Sequence, residues 1–299
     1  MIETDSVELM KNRGYGSLLI AAFKTVTADF KHIIKHQWPY AAAYALVMAY
    51  AAIRFINDLR ADVTEPSVHW VEVGIIMLLV FAVDTAFTGR AAMLVNGMSI
   101  KPSMLRSLWL NIFIVVLKAL VLVIMAAAMI AVTKLTDADA FIVSFTGYSA
   151  TAALAVWLIT VMAAIPYIYS APKYMVETRA KVRGLIISGY GTGGKHWGYI
   201  FITMLLLCIV TGAVVLLISI PMIVLICALG MAVAGLAMGD NLGLPGYFYP
   251  MMYGVGTVTF FIISMVNLYR MFVVYYLYGS IEIRTKEKAA LLKSNEKQR

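Results

Sequence analysis

Charged residues are scarce in this chain. Only 13% of its 299 residues are Asp, Glu, Lys or Arg, whereas 62% are hydrophobic. A typical soluble domain has about 25% charged and about 45–50% apolar residues. A water-soluble fold cannot bury this much apolar surface, so the composition excludes a soluble globular protein. The lipid bilayer is predicted to surround most of the chain.

Cysteine and histidine are scarce as well. Cys208 and Cys227 both lie in apolar runs and are typical of small buried hydrophobic residues, which excludes a disulfide or cysteine–metal framework. His32 and His36 have the i, i+4 spacing of a metal pair, but the stretch "HIIKH" lacks the glutamate of a zinc motif. With four histidines in all, we predict neither a metal nor a cofactor.

Catalytic motifs are missing. No serine has the G-x-S-x-G setting, and Glu177 in "YMVETR" has no partner for acid–base work. The stretch "SGYGTGGKHWG" at 188–198 matches half of a phosphate-binding loop, but His196 replaces the Ser or Thr that holds magnesium. We predict that its glycines break an interfacial helix where the chain turns into the bilayer. A lipid phosphate held by Lys195 and the glycine amides is the alternative.

Long apolar runs are abundant. A helix needs about 20 apolar residues to cross the hydrocarbon. The runs predict an all-α, polytopic membrane helix bundle, with a polar segment at 1–16, a single membrane domain at 17–280 and a basic cytoplasmic tail at 281–299. About six transmembrane helices are expected, at 38–57, 70–90, 107–133, 141–170, 197–219 and 251–280.

A further apolar segment, 221–238, follows Pro221 directly. Crossing the bilayer a seventh time would move the basic tail outside, against the rule that Lys and Arg stay cytoplasmic. Proline removes a backbone donor and kinks or ends helices. We therefore predict that this segment is broken, tilted or re-entrant.

Of the 24 basic residues, 19 lie in the N-terminal region, the tail and alternate loops, whereas the intervening loops carry Asp and Glu. This pattern predicts an inner (cytoplasmic) membrane protein with both termini cytoplasmic, and it excludes nucleic acid as the partner of the basic residues. The basic residues on the predicted inner side are Lys11, Arg13, Lys24, Lys31, Lys35, Arg90, Lys101, Arg106, Lys173, Arg179, Lys181, Arg183, Lys195, Arg284, Lys286, Lys288, Lys293, Lys297 and Arg299.

Residues 17–36 have the 3.6-residue period of an amphipathic helix. Its apolar line is Leu19, Phe23, Val26, Phe30 and Ile33, and its polar line is Lys24, Thr27, Lys31 and Lys35. Such a helix lies in the membrane interface against anionic headgroups, or it docks on other protein. Similar basic stretches precede the third and fifth spans, at 101–109 and 178–198. The predicted headgroup contacts are Lys24, Lys31, Lys35, Arg179, Lys181, Arg183 and Lys195.

Asp84, Lys118 and Arg270 are charged residues well inside the predicted spans, and Asn267 lies one turn before Arg270. A charge at mid-bilayer costs about 2.5–3.5 kcal/mol on insertion scales, so each needs a partner or a role. We expect Asp84 to pair with Arg270, and Asn267 to extend that network. The network would fix helix packing or line a cavity for an anionic ligand, and Lys118 would otherwise extend toward water.

Three stretches carry a resemblance to a known group. They are "LLIAAFKTVTADFKHIIKHQWPY", "GLIISGYGTGGKHWGYIFITMLLL" and "YRMFVVYYLYGSIEIRTKEK". The chain resembles uncharacterised six-helix bacterial inner-membrane proteins and the membrane domain of some glycerophosphodiester phosphodiesterases. The resemblance implies an architecture but no activity, because the phosphodiesterase catalytic domain is absent here.

The expected function is that of a membrane module without a catalytic site of its own, which contacts lipids or binds a membrane-protein partner. The alternative is a small transporter of an amphiphilic or anionic substrate. A transporter would have a water-filled cleft that reaches Lys118, Arg270 and Asp84, with a broken helix at Pro221 beside it.

Overall fold

The chain is helical throughout the part that the structure, a computed structural model, describes. Its described backbone comprises residues 9–60, 70–135, 141–177, 180, 182–239 and 244–298. The all-α prediction is confirmed, because every regular element in these ranges is a helix. The elements are α1 (Tyr15–Ala28), α2 (Phe30–Arg60), α3 (Trp70–Asn96), α4 (Ile100–Leu135), α5 (Phe141–Ala164), α6 (Tyr167–Val176), α7 (Val182–Gly184), π1 (Leu185–Gly189), α8 (Tyr190–Lys195), α9 (Trp197–Ala237) and α10 (Phe248–Gln298).

Five of these helices are long and apolar enough to cross a membrane: α2, α3, α4, α9 and α10. A sixth crossing is available where Leu154–Ala164 and Tyr167–Val176 meet at a bend of 41°. This bent pair overlaps the run predicted as a span at 141–170. The protein is therefore a polytopic membrane helix bundle, and its described residues provide five candidate spans, or six if the bent pair counts as one.

The helix after position 197 does not break at Pro221. α9 continues from Trp197 to Ala237, 41 residues, with the proline inside it. The prediction of a broken or re-entrant segment at 221–238 is therefore wrong. Proline costs a helix one hydrogen bond, and membrane helices tolerate that loss when neighbouring groups compensate. At about 1.5 Å per residue α9 is about 60 Å long, twice the hydrocarbon thickness of about 30 Å.

The predicted interfacial helix at 17–36 is two helices. α1 ends at Ala28, and Asp29 caps it by donating its N–H to the Thr25 carbonyl oxygen, 3.2 Å away. Asp competes with helix formation through its short polar side chain, which accounts for a stop at this position. α2 then begins at Phe30 and continues through Pro39 into the first span. The basic stretch at 101–109 is likewise the first part of α4.

The residues predicted as one membrane domain fall into two compact units. One contains Met1–Met104 and Thr203–Arg299, and the other contains Leu105–Ile202. In the first unit α1 packs on α10, α10 packs on α2, and α2 packs on α3. In the second unit α6 packs against π1 and α8. The free thiols of Cys208 and Cys227 are exposed on α9, so the expectation that they are buried is wrong.

Candidate functional site

α1 packs on α10 through one face. Leu18, Ala22 and Thr25 are buried, and the Thr25 hydroxyl lies 2.6 Å from the Tyr276 hydroxyl of α10. Thr25 donates its own proton to the Ala21 carbonyl, so Tyr276 is the donor of this pair. The large side chain of Phe23 is 59% exposed. Leu18, Ala22 and Thr25 therefore form the face of α1 that contacts protein, whereas Phe23 is left for lipid.

The segment before α1 is fastened to α10. The Arg13 amide donates to Ser280 Oγ at 3.1 Å, and Arg284 donates from Nη2 to the Arg13 carbonyl at 2.8 Å and from Nε to Asn12 Oδ1 at 2.8 Å. The Arg13 guanidinium also lies 4.8 Å from the centre of the Tyr276 ring, a cation–π distance. These contacts hold residues 12 and 13 beside α1.

A cavity of about 490 Å³ lies between this segment, α1 and Tyr276. We call it the basic pocket, and it is lined by Lys11, Arg13, Ser17, Ile20, Ala21, Lys24, Thr25, Ala28, Asp29 and Tyr276. Three cations and one carboxylate leave it with a net positive charge. Within the described part of the chain, the ammonium groups of Lys11 and Lys24 have no hydrogen-bond or ion-pair partner. An anion is therefore the complementary ligand.

A groove of about 560 Å³ lies on the other side of α1, against α9 and α10. We call it the apolar groove, and it is lined by Leu19, Ile20, Phe23, Val26, Val210, Thr211, Val214, Ile218, Ile262, Met265, Val266 and Tyr269. Its walls are almost entirely aliphatic and aromatic. Ile20 lines both the groove and the basic pocket, so the two are neighbours across α1.

Arg270 lies in the last span and bonds to neutral partners. Its Nε donates to Thr211 Oγ1 at 2.8 Å, and its Nη1 donates to Asn267 Oδ1 at 3.2 Å. The expected contact between Asn267 and Arg270 is confirmed, but the expected pairing of Arg270 with Asp84 is wrong. Asp84 lies on α3 and is not among the partners of the Arg270 guanidinium. α2 packs against both α3 and α10, which accounts for the separate surroundings of the two charges.

Lys118 belongs to the second unit and is exposed on α4. Its ammonium has no hydrogen bond or ion pair with any residue that the structure describes, so the expected network does not include it. The other predicted headgroup contacts on described residues are all exposed cations: Lys24, Lys31, Lys35, Arg183 and Lys195. Arg179 and Lys181 lie outside the described residues.

The glycine-rich stretch is helical, and its glycines permit close packing. A β-carbon at Gly193 would lie 2.5 Å from the Pro166 carbonyl oxygen, and one at Gly189 would lie 2.6 Å from Ser170 Oγ. The prediction that these glycines break the helix is wrong, because the break comes at His196, between α8 and α9. The glycine amides lie within helical turns, where they donate along the chain and are not directed at a phosphate.

The two histidines of "HIIKH" contact each other. Their ring centres are 4.3 Å apart, and His36 Nδ1 lies 2.9 Å from the His32 carbonyl oxygen, to which it donates. Among the described residues, no group of three or more His, Cys, Asp or Glu side chains converges as metal ligands do. His32 Nδ1 and Gln37 Oε1 are buried without a hydrogen-bond partner in the same range.

A further polar cluster, not predicted from the sequence, lies between α2 and α3. Arg54 Nε lies 2.9 Å from Glu72 Oε1, and the Tyr50 hydroxyl donates to the same oxygen at 3.0 Å. They line a cavity of about 690 Å³ between α2 and α3. The signal was present, because Arg54 is a cation inside the first apolar run and Glu72 begins the second.

No family model, no curated protein and no solved structure matches this chain. What the protein does must therefore be inferred from its own geometry.

Proposed function

We propose that this membrane protein is a lipid-contacting module of the inner membrane, without a catalytic site of its own, which binds anionic headgroups at the basic pocket. One observation carries the proposal: Lys11, Arg13 and Lys24 converge on one cavity beside an amphipathic helix, and both lysines lack a partner among the described residues. The resemblance to phosphodiesterase membrane domains stays a prediction. Binding of a membrane-protein partner through the exposed apolar helices is a second proposed role.

The charge of the pocket sets the strength of the attraction. A basic residue near an anionic membrane surface contributes about 1 kcal/mol, and the contribution decays within a Debye length. The pocket has three cations and one acid, Asp29, and the exposed Lys31 and Lys35 follow on α2. Such a cluster favours anionic over zwitterionic lipid by a few kcal/mol at most.

The contacts of residues 12 and 13 with α10 support the proposed orientation. The bonds of Arg13 to Ser280 and Arg284 keep the segment before the first span beside the end of the last span, which supports the proposal that both lie on one side of the membrane. An even number of crossings satisfies this, and six are available with the bent pair. The concentration of Lys and Arg at both ends favours the cytoplasmic side for them.

Lipid analysis of the purified protein tests the proposal. We expect the full chain, extracted in mild detergent, to retain anionic lipid in excess of its share of the membrane. The double variant Lys11→Gln/Lys24→Gln should lose this excess. The matched control Lys286→Gln/Lys288→Gln removes the same charge from the exposed tail and should keep it. Equal retention by both double variants would refute headgroup binding at the pocket.

A transporter of an amphiphile or anion is the second candidate. It is favoured by Arg270, a cation within the last span that holds Thr211, one of the residues lining the apolar groove. Uptake of a fluorescent anionic amphiphile into proteoliposomes tests it. Uptake that is faster than in empty liposomes and slowed by Arg270→Gln would support transport. Uptake equal to that of empty liposomes would exclude it for that amphiphile.

A further inference from the structure

We infer that a single anionic glycerophospholipid binds across α1, with its phosphate in the basic pocket and one acyl chain in the apolar groove. The inference rests on the proposed function and narrows it from attraction at a charged surface to one lipid at one site. Its basis is that a basic cavity and an apolar groove occupy opposite sides of one short helix and share Ile20 as a lining residue.

The two sites are close enough for one lipid. Lys24 lines the pocket and Ile20 lines both, and residues four apart on a helix have β-carbons about 5–6 Å apart. The glycerol backbone of a phospholipid spans such a separation between its phosphate and its first acyl carbons. Ile20 is 57% exposed, so the glycerol can pass over it without displacing protein.

The pocket favours a phosphodiester headgroup that bears hydroxyl groups. Lys11 and Lys24 can donate to phosphate oxygens, and Arg13 is held in place by its contacts with Ser280 and the Tyr276 ring. The Asp29 carboxylate lines the same pocket and can accept from headgroup hydroxyls. Phosphatidylglycerol has this combination of one negative charge and two donors. A zwitterionic choline headgroup lacks the donors and brings a cation toward the lysines.

The groove holds one acyl chain in a fixed position beside the pocket. The transfer of that chain from the bilayer exchanges one apolar environment for another, so the groove does not select among lipids, but a side chain that fills it displaces the acyl chain and keeps the headgroup out of the pocket. The groove has the shape for one chain between α1, α9 and α10, and it fixes that chain beside the pocket. The electrostatic contacts at the pocket then select the anionic lipid.

Counting bound lipid tests the inference. The full chain in mild detergent is titrated with phosphatidylglycerol, and the lipids on each intact chain are counted by native mass spectrometry. We expect one tightly held lipid. Lys11→Gln/Lys24→Gln should weaken its binding at least about fivefold, the effect of one surface cation. Val214→Phe, which fills the groove, should also lose the lipid. Val224→Phe, which makes the same change on the exposed surface of α9 outside the groove, should retain it.

The outcomes separate this inference from the proposed function. Suppose that the lysine variant loses the lipid, while Val214→Phe and Val224→Phe retain it equally well. Headgroup binding at the pocket is then supported, and the inference that the same lipid occupies the groove is wrong. If the lysine variant also retains the lipid, both are wrong. A second variant covers misfolding of Val214→Phe. Phe23→Trp adds a fluorophore in the groove to the five native tryptophans. The quenching gained over the unmodified protein should be larger with brominated-chain phosphatidylglycerol than with brominated phosphatidylcholine at equal mole fraction. Equal quenching would overturn the selection of one anionic lipid.

Discussion

Gly193→Ala should destabilise the second unit, whereas Gly194→Ala should not. A β-carbon at 193 would lie 2.5 Å from the Pro166 carbonyl oxygen and 2.9 Å from the Pro166 α-carbon, while one at 194 would have no neighbour within 4 Å. Both residues are in α8, so both substitutions gain about 1 kcal/mol of helix propensity. Overpacking costs about 1–3 kcal/mol, and only Gly193→Ala has that cost. Because the propensity gain cancels, the two variants should differ in stability by about 1–3 kcal/mol.

Equilibrium unfolding in mixed micelles, followed by helical circular dichroism, measures this difference. Gly191→Ala is a second control, since a β-carbon there also has open space. The ordering expected is Gly193→Ala least stable, with Gly191→Ala and Gly194→Ala equal to or above the unmodified protein. If the three variants have the same free energy of unfolding, the glycine at 193 is not needed for close packing against Pro166. Loss of phosphate binding with unchanged stability would point instead to a ligand.

Three further outcomes are expected. Gly279→Ala should release the segment at 9–14 from α10, because a β-carbon at 279 would overlap the Leu9 carbonyl, and amide exchange of that segment should rise relative to Gly254→Ala, which has open space. In a double-mutant cycle, the effects of Thr211→Val and Arg270→Gln on the free energy of unfolding should be coupled by at least about 0.5 kcal/mol. The effects of Asp84→Asn and Arg270→Gln should be additive. The opposite result would support an ion pair between Asp84 and Arg270. Labelling of single cysteines, in a chain with Cys208 and Cys227 replaced, tests the orientation. Gly246→Cys should react with an impermeant thiol reagent in intact cells, and Ala290→Cys should react only after the membrane is opened. Labelling of Ala290→Cys in intact cells would overturn the six-crossing orientation.

Hydropathy located the spans because the bilayer imposes a length on every crossing. Each of the five long candidate spans coincides with a predicted apolar run, and the run at 141–170 coincides with the bent pair. The ends of the helices were harder to predict from the sequence. Pro221 and Pro39 both lie inside helices, and the actual stops come at Asp29 and His196. A proline removes one hydrogen bond, and whether that ends a helix depends on packing that a single sequence does not reveal.

Only part of the site could be predicted from the sequence, for a similar reason. The basic face of α1 was recognised from Lys24, but Lys11 and Arg13 were missed as members of the pocket. Arg13 is held there by contacts with Ser280 and Tyr276, more than 260 positions away along the chain, and Lys11 lies two positions before it. The Arg270–Asn267 contact was predictable because it spans one helical turn. The choice of Thr211 over Asp84 depends on which helices pack together.

The bond between Arg13 and Ser280 joins positions 267 residues apart, and this separation orders the assembly of the protein. Synthesis proceeds from the amino end, so α1 is made long before the helix that covers Leu18, Ala22 and Thr25. Until Tyr276 is in place, that face of α1 has no covering from α10, and the basic pocket lacks one wall. The pocket is thus completed last, and a chain that stops before α10 is inserted has no such site.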